Sequence, residues 1–181
     1  MQHKSRAIIA TLCLVTASVG ASSGRLAAQT TPHLVPASIQ NAQKETLEQL
    51  GVLAAKPGPV GTSAGKVLVL LRQHTARENE FILPPLTLLP YLADGKVTPD
   101  MAWALPMVDR VKAEREQIFN EHAEITEALN GLIVAATAAN DQDAKEFAES
   151  AAADSLADLE ILEPTILLIG DTLRSKLPAP H

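Results

Sequence analysis

The chain has 181 residues, a formal net charge of −6 and only 3% aromatic residues. This length leaves room for one ordinary domain, and a mildly negative chain without a basic stripe argues against nucleic acid as a partner. Alanine, leucine, glutamate and glutamine are abundant while runs of β-branched residues are few, which favours helix over sheet.

Residues 1–28 have the pattern of a secretory signal peptide. Two basic residues precede the apolar stretch IIATLCLVTASVGA, which is too short to span a bilayer. Small residues around Val19–Ala21 and Ala27–Gln29 provide two cleavage regions, so cleavage is expected within about 21–29. Since Cys13 would leave with the signal, the mature protein would contain no disulfide and no thiolate metal ligand. The sequence therefore predicts a bacterial protein that is periplasmic or secreted, with no membrane anchor after cleavage.

Proline, glycine and asparagine divide the rest of the chain into helices, after a linker at 29–37. Four main helices are predicted, over about 38–55, 62–91, 106–139 and 143–176, and a short additional helix near 99–104 precedes the third. Thr62 or Ser63 is expected to cap the second helix, which would kink at Pro84-Pro85. Because the connections are short, the prediction is an all-α fold, an antiparallel four-helix bundle over 38–177.

Both histidines of the predicted helices lie on stripes that should face the core. His122 shares its stripe with Ile118 and Ile125, and His74 and Glu78 lie one turn apart on the inward stripe of the second helix. A buried polar group without a partner costs several kcal/mol, on the order of 2–7. These side chains must therefore meet either other polar groups or a metal ion, and their position alone leaves both alternatives open.

Arg115 falls on the same seven-residue spacing as His122 in the third predicted helix. A cation at such a position could neutralise a second carboxylate of the core. Arg115 is therefore a candidate partner for an acidic side chain.

An internal repeat adds acidic residues to this set. After a shift of 80 residues, HTARENEFILP at 74–84 aligns with DSLADLEILEP at 154–164, and the spacing of the two polar positions and the proline is kept. Asp154 and Asp158 therefore correspond to His74 and Glu78. At 100° per residue, Asp158 is near the centre of the apolar arc of its helix and Asp154 is nearer the edge. Two similar helical hairpins with approximate twofold symmetry are expected.

These features together resemble the hemerythrin-like, HHE cation-binding domain, a four-helix bundle whose core holds a metal pair, typically iron. The resemblance covers about 38–176 and implies metal ligands at His74, Glu78 and His122. It rests on three stretches: His-x-x-x-Glu with Leu-Pro-Pro-Leu at 74–86, VKAEREQIFNEHAEITEAL at 111–129 and EILEPTILLIGDTLRSKL at 160–177.

The chain departs from the family pattern in its first and fourth helices. The first has Gln43 and Leu47 where the family offers a histidine, and the repeat relates Gln43 to His122. The fourth has Asp154 and Asp158 in place of His-x-x-x-Glu, and Glu163 where an aromatic residue commonly precedes the proline. The resulting ligand set is rich in oxygen and suits iron, mononuclear or dinuclear, as well as manganese or zinc.

The sequence therefore predicts an exported hemerythrin-like protein that binds a transition metal, iron first, through His74, Glu78, His122, Asp158 and Asp154. Binding of O₂ or NO, redox chemistry or metal handling is the expected role, rather than turnover of an organic substrate. Two alternatives stay open. One is a metal-free descendant of the fold that acts as a structural or partner-binding module. The other is a metal-dependent oxidase, for which the sequence names no separate acid–base residue.

Overall fold

The computed structural model describes residues 33–178, and the regular structure in this range is entirely helical. The prediction of an all-α fold is thus confirmed for this part of the chain. The predicted signal peptide and the first residues of the predicted linker lie outside the described residues. No helix within 33–178 combines the length and the apolar character that crossing a membrane requires.

The helices differ in length, and turns of π and 3-10 geometry join several of them. The π-helical turns are Glu78–Ile82 and Asp158–Leu162, and the 3-10 turns are Pro84–Leu88 and Pro99–Trp103. The α-helices are α1 (Ala37–Ala54), α2 (Pro59–Arg77), α3 (Leu89–Ala93), α4 (Ala104–Ala113), α5 (Arg115–Ala139), α6 (Gln142–Ala157) and α7 (Glu163–Lys176).

Helix packing creates two apolar clusters with a polar layer between them. α1 packs against α2, α2 against α5 and α5 against α6, while α4 packs against α7 and the first π-helical turn. The first cluster joins α1, α2, α5 and α6 and includes Leu50, Val67 and Leu129. The second joins α4, α7 and the proline-rich turn and includes Val108 and Ile166. Each such buried aliphatic side chain contributes about 2 kcal/mol of hydrophobic stabilisation.

The start of the second helix differs from the prediction. α2 begins at Pro59, after Gly58 with φ of 82°, so neither Thr62 nor Ser63 is its cap. Proline at the first helical position has no N–H that needs capping, and glycine tolerates the positive φ before it. The hydroxyl of Thr62 instead donates to the carbonyl oxygen of Gly58, at 3.1 Å.

The predicted kink at Pro84-Pro85 is a longer irregular segment. α2 already ends at Arg77, and the π-helical turn, the 3-10 turn and the short α3 follow it. Proline removes a backbone donor and its ring crowds the carbonyl four residues earlier, so α-geometry cannot continue through this stretch. The short helix expected near 99–104 is present as the 3-10 turn Pro99–Trp103, which leads directly into α4.

The third predicted helix is interrupted at Glu114, which separates α4 from α5. The apolar spacing continues across this break, because Val111 and Ile118 are both buried, but the Arg115 side chain is 64% exposed rather than part of the core-facing stripe. Arg115 Nε nevertheless lies 2.6 Å from Oε1 of the buried Glu163. The expectation that Arg115 neutralises a carboxylate therefore agrees with the structure, although its expected position on the core-facing stripe was wrong.

Candidate metal centre

The two π-helical turns occupy equivalent positions in the sequence repeat. Each begins at an acidic residue, Glu78 or Asp158, and a proline follows six residues later, at Pro84 or Pro164. In the first turn, the N–H of Leu83 donates to the Glu78 carbonyl oxygen at 2.8 Å, a bond that spans five residues. The wider turn accommodates the carbonyl that the proline ring would otherwise crowd. The repeat is thus present in the backbone as well as in the residue pattern.

One cavity of about 440 Å³ between α1, α2, α5 and α6 brings the five predicted ligand residues to a common space. His74, Glu78 and His122 are buried, Asp158 is half-buried and Asp154 is exposed. The rest of the lining is largely apolar, with Val67, Leu71, Ile125 and Leu129 among it, and none of the described residues that line it is lysine or arginine. The cavity is therefore acidic and suited to a cation.

The two buried histidines contact each other, and each uses its Nδ1 atom to contact a side chain of a neighbouring helix. Their rings meet edge to face with centroids 4.4 Å apart. His74 Nδ1 lies 3.2 Å from Glu121 Oε2, and His122 Nδ1 lies 2.9 Å from Ser155 Oγ. In each ring, Nε2 is the nitrogen that these contacts do not use. Hydrogen bonds to the second ring nitrogen orient histidines that bind metals.

His74 and Glu78 have the spacing of two ligands of one ion. His74 Nε2 is buried without a hydrogen-bond partner among residues 33–178, and it lies 3.4 Å from Glu78 Oε1. Two donors bound at about 2.1 Å to a four-coordinate metal are about 3.4 Å apart. A buried nitrogen without a partner is costly, and a metal ion would remove that cost. The residues present therefore fit a transition metal.

Gln43 of α1 contacts the oxygen of Glu78 that does not face His74. Its Nε2 donates to Glu78 Oε2 at 3.0 Å, while its Oε1 is buried without a partner among the described residues. Gln43 thus stands at the cavity, where the resemblance would place a histidine, and holds the second oxygen of Glu78. This contact leaves Oε1 as the oxygen of Glu78 that faces His74.

Burial shifts the proton affinities of two further groups in opposite directions. Desolvation raises the pKa of Asp158 to about 7, with the negative charges of Glu78 and Asp154 adding to the rise and His74 opposing it. Desolvation lowers the pKa of His122 to about 4, with His74 adding to the fall and Glu78 opposing it. At neutral pH His122 is therefore an uncharged base, and Asp158 keeps its proton to a higher pH than an exposed aspartate does.

The five predicted ligand side chains do not all surround a single point. Among residues 33–178, no group of three or more His, Cys, Asp or Glu side chains stands in an arrangement that would already hold an ion. Among the five predicted ligands, His74 is in close contact with Glu78 and with His122. Asp158 and Asp154 line the same cavity. Asp154, predicted near the edge of its helix face, is exposed.

Three residues that matter for this geometry were absent from the prediction. They are Glu121, Arg77 and Ser155, which contact His74, Glu121 and His122 respectively. One signal was available for Ser155, because the shift of 80 pairs it with Thr75, and both hydroxyl residues are buried. Helical periodicity contains no signal for Glu121, since its partner belongs to another helix.

Fold and site define the class of this protein as all-helical with a buried histidine–carboxylate centre. No protein-family model, curated protein or solved structure matches the chain. The hemerythrin-like resemblance therefore stays a hypothesis.

Proposed function

We propose that this protein is an exported hemerythrin-like four-helix bundle that binds a transition metal, iron first, in the cavity between α1, α2, α5 and α6. The observation that carries the proposal is the buried pair His74 Nε2 and Glu78 Oε1, 3.4 Å apart, with no hydrogen-bond partner for the nitrogen among residues 33–178. Manganese or zinc would suit the same oxygen-rich donors.

Each residue of the centre has a distinct role in this proposal. His74 and His122 bind through Nε2, because their Nδ1 atoms are held by Glu121 and Ser155. Glu78 binds through Oε1, and Asp158 completes the set, with Asp154 as an outer contributor. A bound iron would supply redox chemistry and a coordination position for O₂ or NO. The apolar cavity walls would limit the access of water to it.

Metal content of the protein purified from its native compartment tests the proposal. We expect close to stoichiometric iron, manganese or zinc by mass spectrometry, and loss of that metal in a His74→Ala/His122→Ala variant. His33→Ala is the matched control, because His33 stacks on Trp103, 3.7 Å between ring centroids, and does not line the cavity. Absence of metal from wild type, together with failure to load Fe(II) under anaerobic conditions, would contradict the proposal.

A metal-free structural module is the second candidate, and two observations favour it. The described residues contain no group of three or more donors already arranged for an ion, and Glu78 is hydrogen-bonded by Gln43. In that case the polar layer would serve the packing of the bundle, and the same metal measurement would find nothing bound. Oxidase activity would be recognised by turnover of O₂ or peroxide in a reduced, metal-loaded sample.

A further inference from the structure

A chain of alternating charges connects the buried His74 with the protein surface. The side chains come from α2, the first π-helical turn, α4, α5 and the break between the last two. In order from the core, the members are His74, Glu121, Arg77, Glu114, Arg110 and Glu80. We call this set the charge ladder. None of its members beyond His74 was among the predicted ligands.

The inner part of the charge ladder fixes both oxygens of Glu121. Arg77 Nη1 donates to Glu121 Oε1, and Oε2 of the same carboxylate lies 3.2 Å from His74 Nδ1. An ionised carboxylate only accepts hydrogen bonds, so His74 Nδ1 must be the donor of this pair. In a neutral ring the lone pair then resides on Nε2, which faces Glu78 at 3.4 Å.

The outer part of the charge ladder fixes Arg77 in turn. Its Nη2 donates to Glu114 Oε2 at 2.5 Å, and Arg110 Nε donates to Glu114 Oε1 at 2.8 Å. Arg110 Nη1 also donates to Glu80 Oε1 at 2.7 Å. Glu114 is the residue that separates α4 from α5, so the break in the helix supplies the carboxylate that both arginines share.

Phe81 links the charge ladder to the turn that begins at Glu78. Its ring is buried within that π-helical turn, and the guanidinium carbon of Arg110 lies 3.9 Å from the ring centroid. Arg77 lies over the same ring at 5.7 Å. Cations over an aromatic face are attracted by its electron density. Both arginines are therefore held by contacts on two sides.

We propose that Glu121 and Arg77 are positioning residues that keep His74 in the Nδ1–H tautomer and direct its Nε2 lone pair into the cavity. Glu114 and Arg110 hold Arg77 in place for this purpose. The expected effect on metal affinity rests on the proposed function. The assignment of the His74 tautomer does not, because it follows from the contacts of Glu121 alone. Loss of the group that hydrogen-bonds a metal-binding histidine typically weakens metal binding by about 10- to 100-fold.

Nitrogen-15 NMR of the metal-free full-length protein, above neutral pH, tests the tautomer directly. We expect the Nδ1–H form of His74 in wild type, and a larger Nε2–H fraction in Glu121→Gln and Arg77→Met. Glu124→Gln and Arg72→Met are matched controls, because they make the same charge changes at exposed positions of the same two helices. An Nε2–H or doubly protonated His74 in wild type would overturn the proposal without any variant.

Titration with Co(II) or Zn(II) then separates this proposal from the proposed function. We expect about 10- to 100-fold weaker binding in Glu121→Gln than in Glu124→Gln, and partial recovery of affinity in Arg77→Lys relative to Arg77→Met. If the tautomer changes as expected but no form binds metal, the positioning role holds and the proposed function fails. If every form binds metal equally and the tautomer of His74 is unchanged, the positioning role is wrong and the proposed function holds.

Discussion

Glu78 and Asp158 are the first residues of two equivalent π-helical turns, 80 residues apart in the chain, and both side chains line one cavity. The repeat is less complete one turn earlier, where His74 is buried and its counterpart Asp154 is exposed. The two halves therefore share a backbone geometry but contribute unequally to the polar layer. The half that contains α1 and α2 supplies the closest pair of candidate ligands.

Gln43→His is expected to raise metal affinity. Gln43 already hydrogen-bonds Glu78 across the cavity, so an imidazole at this position would add a nitrogen donor to the same centre. We expect roughly tenfold tighter Co(II) or Zn(II) binding, about 1.4 kcal/mol. Gln40→His on the exposed side of α1 is the control. Equal or weaker affinity in Gln43→His would show that the centre cannot use a donor from α1.

The metal-free protein is expected to show two opposing pH dependences. Burial lowers the pKa of His122 from 6.5 to about 4, so stability is lost as the pH falls through this range and the unfolded chain takes up a proton. Burial raises the pKa of Asp158 from 3.8 to about 7. The free energy of unfolding therefore falls as the pH rises from about 4 to 7, because the unfolded chain loses this proton before the folded protein does.

Asp158→Asn should remove the second of these dependences. The variant would be more stable than wild type at neutral pH, and its unfolding free energy would rise between about pH 4 and 6.5, because the His122 dependence would no longer be opposed. His122→Gln should remove the first dependence, which is the loss of stability as the pH falls from about 6.5 to 4. Urea unfolding across this range measures both effects, and an Asp158→Asn profile parallel to that of wild type would refute the assignment.

Two glycines of α2 should respond oppositely to the same substitution. A Cβ atom on Gly61 would overlap the backbone carbonyl of Lys56, so Gly61→Ala is expected to cost about 1–3 kcal/mol of stability. Nothing lies within 4 Å of a Cβ atom on Gly65, so Gly65→Ala should gain about 0.5–1 kcal/mol from helix propensity. Denaturant unfolding compares the two, and similar changes at both sites would contradict the close approach at Gly61.

Arg115→Met should destabilise the protein through Glu163. Glu163 is only 6% exposed and Arg115 Nε lies 2.6 Å from its Oε1, so the variant leaves a buried carboxylate without its ion partner. We expect a loss of about 1 kcal/mol, because the exposed arginine is screened by solvent. Adding Glu163→Gln should recover part of this loss. A stability unchanged by Arg115→Met alone would mean that solvent already satisfies Glu163.

Much of the helical framework was predictable, because it depends on local chemistry. Helical periodicity placed His74, Glu78 and His122 on inward stripes, and all three are buried. Asn140, where the third predicted helix was expected to end, adopts a left-handed conformation after α5, and Asp141 accepts a hydrogen bond from the Ala144 N–H at 3.2 Å. The predicted helix boundaries were wrong where two local sequence patterns favour different structures. Proline at the first helical position took precedence over the expected hydroxyl cap, and an apolar spacing continued across a break at Glu114.

The sequence by itself determined the helical class, the inward faces and the repeat that relates Glu78 to Asp158, since these follow from composition, period and spacing along one segment. Only the tertiary structure decided that Glu121 holds His74 and that Ser155 holds His122. Such contacts join different helices, and they depend on how the helices rotate and shift against one another during packing. Periodicity within a single helix determines which face turns inward, but the atoms that meet there are determined by the neighbouring helices.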